Sequence, residues 1–330
     1  MIERQHFDEM WDSSDPCSSK DQQNSTIEYA LILPSAVFSN KTWLTRQRVT
    51  ALSKGIIMQE SIAAPSSTFI AADGDGYELA MGRWSRKLAE QFIDFAGVAD
   101  GEKMLDVGCG TGSLSFALAA RAPNSAITGI DFSEAYVAYA KRKNTQTRLA
   151  FETGDACAMT YADKSFDRVL SLLVLHYVRE PNKAIAEMRR VARPGATVAA
   201  TVWDGRGGFV GVRIFYDTAA ALDPAAEKHR ARYCTHPMTR PGELAGAWRD
   251  AGFKDVREAY LTIRMEFKDF ADYWAPATGK DGPLAAYVNS LAPDMRERFK
   301  AALNAAYCSG EADGPRSFAA SAWAVRGIAP

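Results

Sequence analysis

The sequence predicts an α/β fold built on a parallel sheet with helices on both faces. Three observations carry that expectation. Between Lys103 and Val202, short apolar runs suited to strands alternate with helical patterns. The run from Phe166 to Leu175 is almost continuously apolar, as a strand buried on both faces should be. A glycine loop, Gly108-Cys109-Gly110-Thr111-Gly112, stands between the first strand and the helix that follows it.

The elements follow in order. Residues 1 to about 70 hold no lasting period, and Asp12 to Ser25 is dominated by Asp, Ser, Asn and Gln. A weakly structured N-terminal extension, 1–70, is therefore expected before a main domain, 71–330. Residues 1–57 are expected to be dispensable, with Met58 a workable start. From Tyr77 to Ala96, Leu79, Met81, Trp84, Leu88, Phe92, Ile93 and Phe95 recur at helical spacing, and Gly97 and Gly101 close the helix. Strands are predicted at Lys103–Val107, Ala126–Ile130, Leu149–Glu152, Phe166–Leu175 and Thr197–Val202. Helices are predicted at Ser113–Arg121, Ser133–Lys143 and Asn182–Ala192, the last stopped by Pro194-Gly195. Two further strands, Asp255–Met265 and Arg316–Val325, flank segment 269–308. Segment 205–252 opens on a glycine-rich turn and continues as a mixed helical stretch.

Bulk properties narrow the function. A chain of 330 residues with net charge −1 has no global field to attract a polyanion, so no nucleic-acid partner is expected. Five dispersed cysteines (Cys17, Cys109, Cys157, Cys234, Cys308) show no CxxC spacing and read as reduced thiols of a cytoplasmic protein. His6, His176, His229 and His236 form no ligand pattern, so no metal is expected. The apolar stretch Tyr29–Phe38, broken by Pro34, is too short to span a bilayer, and no membrane association is expected.

The chemistry sits at Met104-Leu105-Asp106-Val107-Gly108-Cys109-Gly110-Thr111-Gly112-Ser113. Glycines at alternate positions let the backbone turn tightly and approach a ligand at the carboxyl end of the sheet. A glycine loop alone leaves NAD as a rival. The second strand then ends in Asp131, about twenty residues on, where a carboxylate can accept both ribose hydroxyls. Gly154-Asp155-Ala156 follows the third strand, and an Asp there can accept from an adenine amino group. The fourth strand leads to Leu175-His176-Tyr177, and Pro194-Gly195 turns into the fifth.

This ordered set resembles the class I S-adenosylmethionine-dependent methyltransferases, in the group that includes the ubiquinone/menaquinone-type C-methyltransferases. The likeness is close over residues 76–204. It implies a Rossmann-like, doubly wound, seven-stranded sheet, mostly parallel with a C-terminal antiparallel strand pair. It implies S-adenosylmethionine as cofactor and a small-molecule acceptor. Gly108, Gly110 and Gly112 would pass under the methionine part, with Asp106 orienting its amino group. Asp131 would hold the ribose, beside Phe132. Asp155 and Ala156 would face the adenine, and Ser171 and Leu172 would line the floor near the sulfonium. The Tyr77–Ala96 helix would lie over the cofactor as a lid, with Tyr77 or Arg83 reaching its carboxylate; Trp84 reads rather as packing.

Other readings stand beside these. Asp131 could be a plain helix N-terminal carboxylate, and Asp155 a turn residue. Cys109 reads as structural. His176 could be a general base or a wall residue, the commoner case. The charged run Lys228-His229-Arg230-Ala231-Arg232 reads as solvated surface. Segments 205–252 and 269–308 are expected to cover the acceptor, and their Phe209, Phe215, Tyr216, Trp248, Tyr273 and Trp274 suit either an apolar acceptor or a core. An NAD(P)-dependent oxidoreductase is disfavoured by the GxGxG spacing and by the lack of a Tyr-x-x-x-Lys pair. A base-modifying methyltransferase usually shows an Asn/Asp-Pro-Pro-aromatic turn where this chain has Leu175-His176-Tyr177-Val178. A cofactor-binding module without catalysis is the third rival.

Overall fold

The computed structural model describes residues 66–330 apart from Ile70, Ala72 and Asp281, so the expectations for residues 1–57, Met58 and Tyr29–Phe38 lie outside the described residues. One sheet holds seven strands: β1 (Lys103–Val107), β2 (Ala126–Asp131), β3 (Leu149–Thr153), β4 (Phe166–Leu172), β5 (Ala192–Trp203), β6 (Lys254–Phe267) and β7 (Arg316–Ile328). Their order is β3-β2-β1-β4-β5-β7-β6. Pairing is parallel from β3 to β5, and β7 inserts antiparallel between β5 and β6. This is the Rossmann-like, doubly wound sheet with its antiparallel C-terminal pair.

Helix α1 (Gly74–Tyr77) runs through a π turn (Glu78–Gly82) into α2 (Arg83–Ala96). Helices α3 (Ser113–Arg121), α4 (Glu134–Lys143) and α5 (Pro181–Val191) link the parallel strands. Between β5 and β6 lie α6 (Val210–Leu222), α7 (Glu227–Cys234) and α8 (Glu243–Asp250). Between β6 and β7 lie α9 (Phe270–Trp274), α10 (Gly282–Ser290) and α11 (Pro293–Cys308).

Strand alternation sorts the core into two layers. Met104 in β1, Leu170 and Leu172 in β4 and Ala199 in β5 pack toward α2 and α3. Leu105, Val107, Val169, Val198 and Ala200 point the other way, toward α5 and α8. The face of α2 that meets the sheet carries Trp84, Leu88, Phe92 and Ile93, all essentially buried. Each such side chain stabilises the fold by about 1.5–3 kcal/mol on area grounds. Gly97 ends α2 in the left-handed region (φ 64°), as its sequence position predicted. Trp84 packs on Phe267 at a ring separation of 5.4 Å, in keeping with the packing reading.

Three elements depart from the sequence expectation. β5 begins at Ala192 rather than at the expected Thr197 and holds Pro194-Gly195 inside it, where Gly195 N–H donates to Ala329 O at 3.0 Å. The strand expected to reach Leu175 stops at Leu172, because Leu173 turns the chain with φ 65° and Leu175–Tyr177 forms a 3-10 turn. A continuous apolar run cannot reveal such a turn. The lid helix is also not uniform: Glu78 folds back over Gly82, where an added Cβ would lie 2.3 Å from the Glu78 carboxylate. Such π turns often mark functional sites.

Candidate active site

The chain runs from β1 to β3 on one side of the sheet and resumes at β4 on the other, so a crevice opens at the carboxyl ends of β1 and β4. The glycine loop fills the floor of that crevice. The Gly108 and Cys109 N–H groups both donate to Ile130 O, at 2.7 and 3.0 Å. Gly108 takes φ 73°, and a Cβ there would meet Val174 Cγ2 at 2.4 Å. Only glycine fits this crossing of the β1 and β4 loops.

Asp131 closes β2 with its carboxylate facing the loop. Gly110 N–H donates to Oδ2 and Ser133 N–H to Oδ1, each at 2.9 Å. Burial raises its pKa, and those two bonds oppose the rise. Both oxygens retain a free acceptor direction. Phe132, next in the chain, is among the few exposed large apolar side chains. Ser133 caps α4 by accepting from Tyr136 N–H.

Asp106 is completely buried and accepts from Ser115 Oγ at 2.6 Å through Oδ2, while Oδ1 has no partner among the described residues. Burial, with the Asp131 charge as a smaller cause, pushes its pKa from 3.8 to about 7. The folded protein therefore holds a proton at Asp106 that the unfolded chain releases near pH 4. Stability should fall as pH rises from about 4 and level off above about 7. With about 1.4 kcal/mol per pH unit, the penalty is on the order of 4 kcal/mol. Urea melts across this range should show the slope, and Asp106→Asn should flatten it.

A large cavity lies above this floor. Gly108, Gly110, Asp131, Phe132, Tyr77 and Leu172 line it together with His176, Tyr177, Trp203, Phe209, Tyr233 and His236. Of the two covering segments, 205–252 also supplies Gly205, Val212 and Thr239, and 269–308 supplies Pro276, Pro283 and Leu284. The chain just before the expected boundary at residue 70 takes part too. Ser67 and Phe69 line the cavity, and Thr68 N–H donates to Tyr177 O at 2.8 Å. The strap Ser66–Phe69 thus belongs with the main domain.

The remaining sequence candidates divide. Gly154 and Ala156 line a smaller neighbouring cavity with Asp131 and Phe132. Asp155 accepts from Cys157 N–H in that loop. Gly112 (φ 96°) packs against Phe116 and Phe151 at the start of α3, away from the cavity lining. Ser171 is buried and donates to Val107 O, so it binds β1 to β4. Arg83 does not reach the cavity. Its guanidinium pairs in two-pronged fashion with Asp272, at 3.0 and 3.1 Å, and lies over the Trp84 ring. Its expected place at the cofactor carboxylate is corrected on that ground: the partner is 189 residues away and invisible to local pattern.

Tyr77 bonds Ser85 Oγ at 3.0 Å, and burial pushes its pKa up to about 12. The Cys109 thiol is raised far above its ordinary value, by burial first and then by the Asp131 and Asp106 charges, so it is a poor nucleophile. Of the six aromatics singled out in the covering segments, Phe209 alone lines the cavity; Trp248, for one, donates to Val198 O on the opposite face of the sheet. Arg230, in the charged run, pairs with Glu227 and Asp217 at the surface.

Three residues escaped the sequence reading. Glu78, in the π turn, accepts from Thr111 Oγ1 at 2.6 Å and pairs with Arg86, so the lid helix grips the glycine loop directly. Tyr233 and His236 come from the covering segment, and no spacing rule marks them. Among the described residues, no group of His, Cys, Asp and Glu could hold a metal ion, and no helix is long and apolar enough to cross a membrane.

Comparison with known proteins agrees with this floor. A family model described as a methyltransferase domain matches residues 105–200. The ubiquinone/menaquinone biosynthesis C-methyltransferase of Paracoccus denitrificans is 39% identical over 108 residues, 31% of this chain and 43% of that one. The demethylmenaquinone methyltransferase of Roseiflexus sp. is 35% identical over 169 residues, 47% of this chain and 68% of that one. The chain belongs to the class I S-adenosylmethionine-dependent methyltransferases. It nonetheless spans less than half the length of the Paracoccus relative. The fold of this methyltransferase also matches Haemonchus contortus phosphoethanolamine N-methyltransferase 2, crystallised with S-adenosyl-L-methionine. That match has a TM-score of 0.52 at 16% identity and covers 78% of this chain and 56% of that one.

Proposed function

We propose that this methyltransferase transfers a methyl group from S-adenosylmethionine to a small-molecule acceptor held in the same cavity. The observation that carries the reading is the sharing of one cavity by Asp131, Gly108 and Gly110 with the ring wall of Trp203, Phe209 and Tyr233. Residues 71–330, with the preceding strap, form the catalytic domain.

The floor fits the cofactor. Asp131 offers one free acceptor direction on each oxygen for a pair of ribose hydroxyls. The partnerless Asp106 Oδ1 suits a nearby ammonium group, acting from beneath Gly108 and Gly110. Ala156 and Asp155 take the adenine end, with Phe132 against its face, while Leu172 and Tyr77 close the methionine end. Gly112 and Ser171 act indirectly, by fixing α3 and the β1–β4 contact. When bound, S-adenosylmethionine supplies an electrophilic methyl group on a positively charged sulfur. The protein's task is then alignment in a dry pocket, and positioning of this kind can account for about 7–11 kcal/mol of barrier lowering. Incubating the protein with methyl-labelled cofactor and a metabolite extract, then identifying the labelled product, tests the reading. Label found only in protein or nucleic acid would contradict it.

A further inference from the structure

The cavity constrains what the acceptor can be. Asp131, on the cofactor floor, is the only acidic or basic side chain other than histidine among its described lining residues. A charged acceptor would lose its hydration there without a countercharge. A neutral, ring-bearing molecule suits Trp203, Phe209 and Leu284.

The polar groups that remain are specific. His236 Nδ1 lies 3.0 Å from the backbone carbonyl of His176. A carbonyl only accepts, so Nδ1 carries the hydrogen and Nε2 of the neutral ring keeps its lone pair. The His176 and Tyr177 rings lie 5.7 and 5.1 Å from this imidazole, and Tyr233 lies at 6.0 Å. The Tyr233 hydroxyl and both His176 ring nitrogens are buried without a hydrogen-bond partner among the described residues. His176 is only 4% exposed and lines the cavity. The wall of the site thus holds unsatisfied donors near a lone pair. A hydroxyl answers both at once, since it accepts and donates.

We propose that the acceptor is a neutral apolar ring bearing a weakly acidic hydroxyl, and that His236 Nε2 takes its proton. This rests on the methyltransferase reading above. The hydroxyl oxygen forms the new bond to the methyl carbon with a lone pair. The carbon–sulfur bond breaks with its electron pair left on sulfur, and the displaced proton goes to Nε2, then to water. The groups facing His236 keep it neutral and ready. Burial lowers its pKa, Arg232 lowers it further, and the His176 carbonyl opposes them. Burial holds Tyr177 and Tyr233 protonated and His176 uncharged. Tyr233 and His176 act as donors to the hydroxyl oxygen, so the base role that the sequence left open for His176, beside the commoner wall role, falls to His236.

The test uses the full chain with 4-nitrophenol as probe. Absorbance titration in the presence of S-adenosylhomocysteine should show saturable binding, with the bound phenol ionising at higher pH than the free one. Phenyltrimethylammonium, a cationic ring, should not compete. His236→Asn keeps a donor for the His176 carbonyl but removes the base. It should leave cofactor affinity unchanged and slow methyl transfer to the phenol by about 10²–10⁴-fold. That defect should shrink along a series of increasingly acidic para-substituted phenols. Equal binding of the cationic ring, no phenol binding by a protein that does bind S-adenosylhomocysteine, or an unslowed His236→Asn would each overturn the proposal. Failure to bind S-adenosylhomocysteine at all would remove the methyltransferase reading first, and this one with it.

Discussion

Asp131→Ala is expected to weaken S-adenosylmethionine binding by about 1.5–3 kcal/mol, on the order of 10- to 100-fold, the range of hydrogen bonds to a charged group. The carboxylate has two tasks, and both fail in the variant. It accepts Gly110 N–H and Ser133 N–H, so it ties the glycine loop to the start of α4. In the proposed site its free acceptor directions would serve the ribose hydroxyls. Asp131→Asn keeps one acceptor oxygen and should fall between the parent and the alanine variant. Because burial raises the Asp131 pKa, lowering the pH should protonate it earlier than an ordinary carboxylate and weaken binding. Titration calorimetry at two pH values checks all of this. An unchanged affinity in Asp131→Ala would take the residue out of the site.

Arg168→Met should cost about 3–5 kcal/mol of stability, the scale on which removal of one partner of a buried ion pair is felt. Arg168 stands in β4 with its side chain almost wholly buried, donating through Nε and Nη2 to Glu102 at 2.6 and 2.7 Å and through Nη1 to Ala96 O at 2.6 Å. The variant leaves Glu102 without its ion-pair partner and a helix-end carbonyl without its donor. Adding Glu102→Leu should recover part of the loss, since two apolar residues leave no isolated charge. Urea unfolding checks this as a fall in midpoint at constant slope. High salt should change the parent little, because the pair is shielded from counterions. A shift below 1 kcal/mol would mean that the pair is solvated in solution.

The fold was legible from the sequence because its signals are local. Strand–helix alternation describes elements one at a time, and the sheet follows from right-handed connections between them. The place of Asp131 beside the glycine loop was legible for the same reason: a strand end at a fixed distance from that loop. What was missed depends on partners far apart in the chain. Arg83 is claimed by Asp272, and Arg168 by Glu102. The apolar reading of Phe166–Leu175 passed over Arg168 inside it, because a buried pair looks like an interruption until its partner is seen. The strand's true end rests on the backbone of Leu173, a non-glycine residue with positive φ that hydropathy does not register. The six aromatics could not be sorted, since composition does not tell which side of a helix meets a cavity and which meets the core. His236 carries no signal of its own; its tautomer comes from the His176 carbonyl sixty residues away.

The most direct measurement is calorimetric titration of the full chain with S-adenosylhomocysteine, and separately with NAD and NADP. Saturable one-to-one binding of S-adenosylhomocysteine is expected, with no saturable heat from either dinucleotide. That result would support the reading of Asp131 and the glycine loop as a methyltransferase floor. Saturable binding of NAD or NADP, with none of S-adenosylhomocysteine, would contradict it.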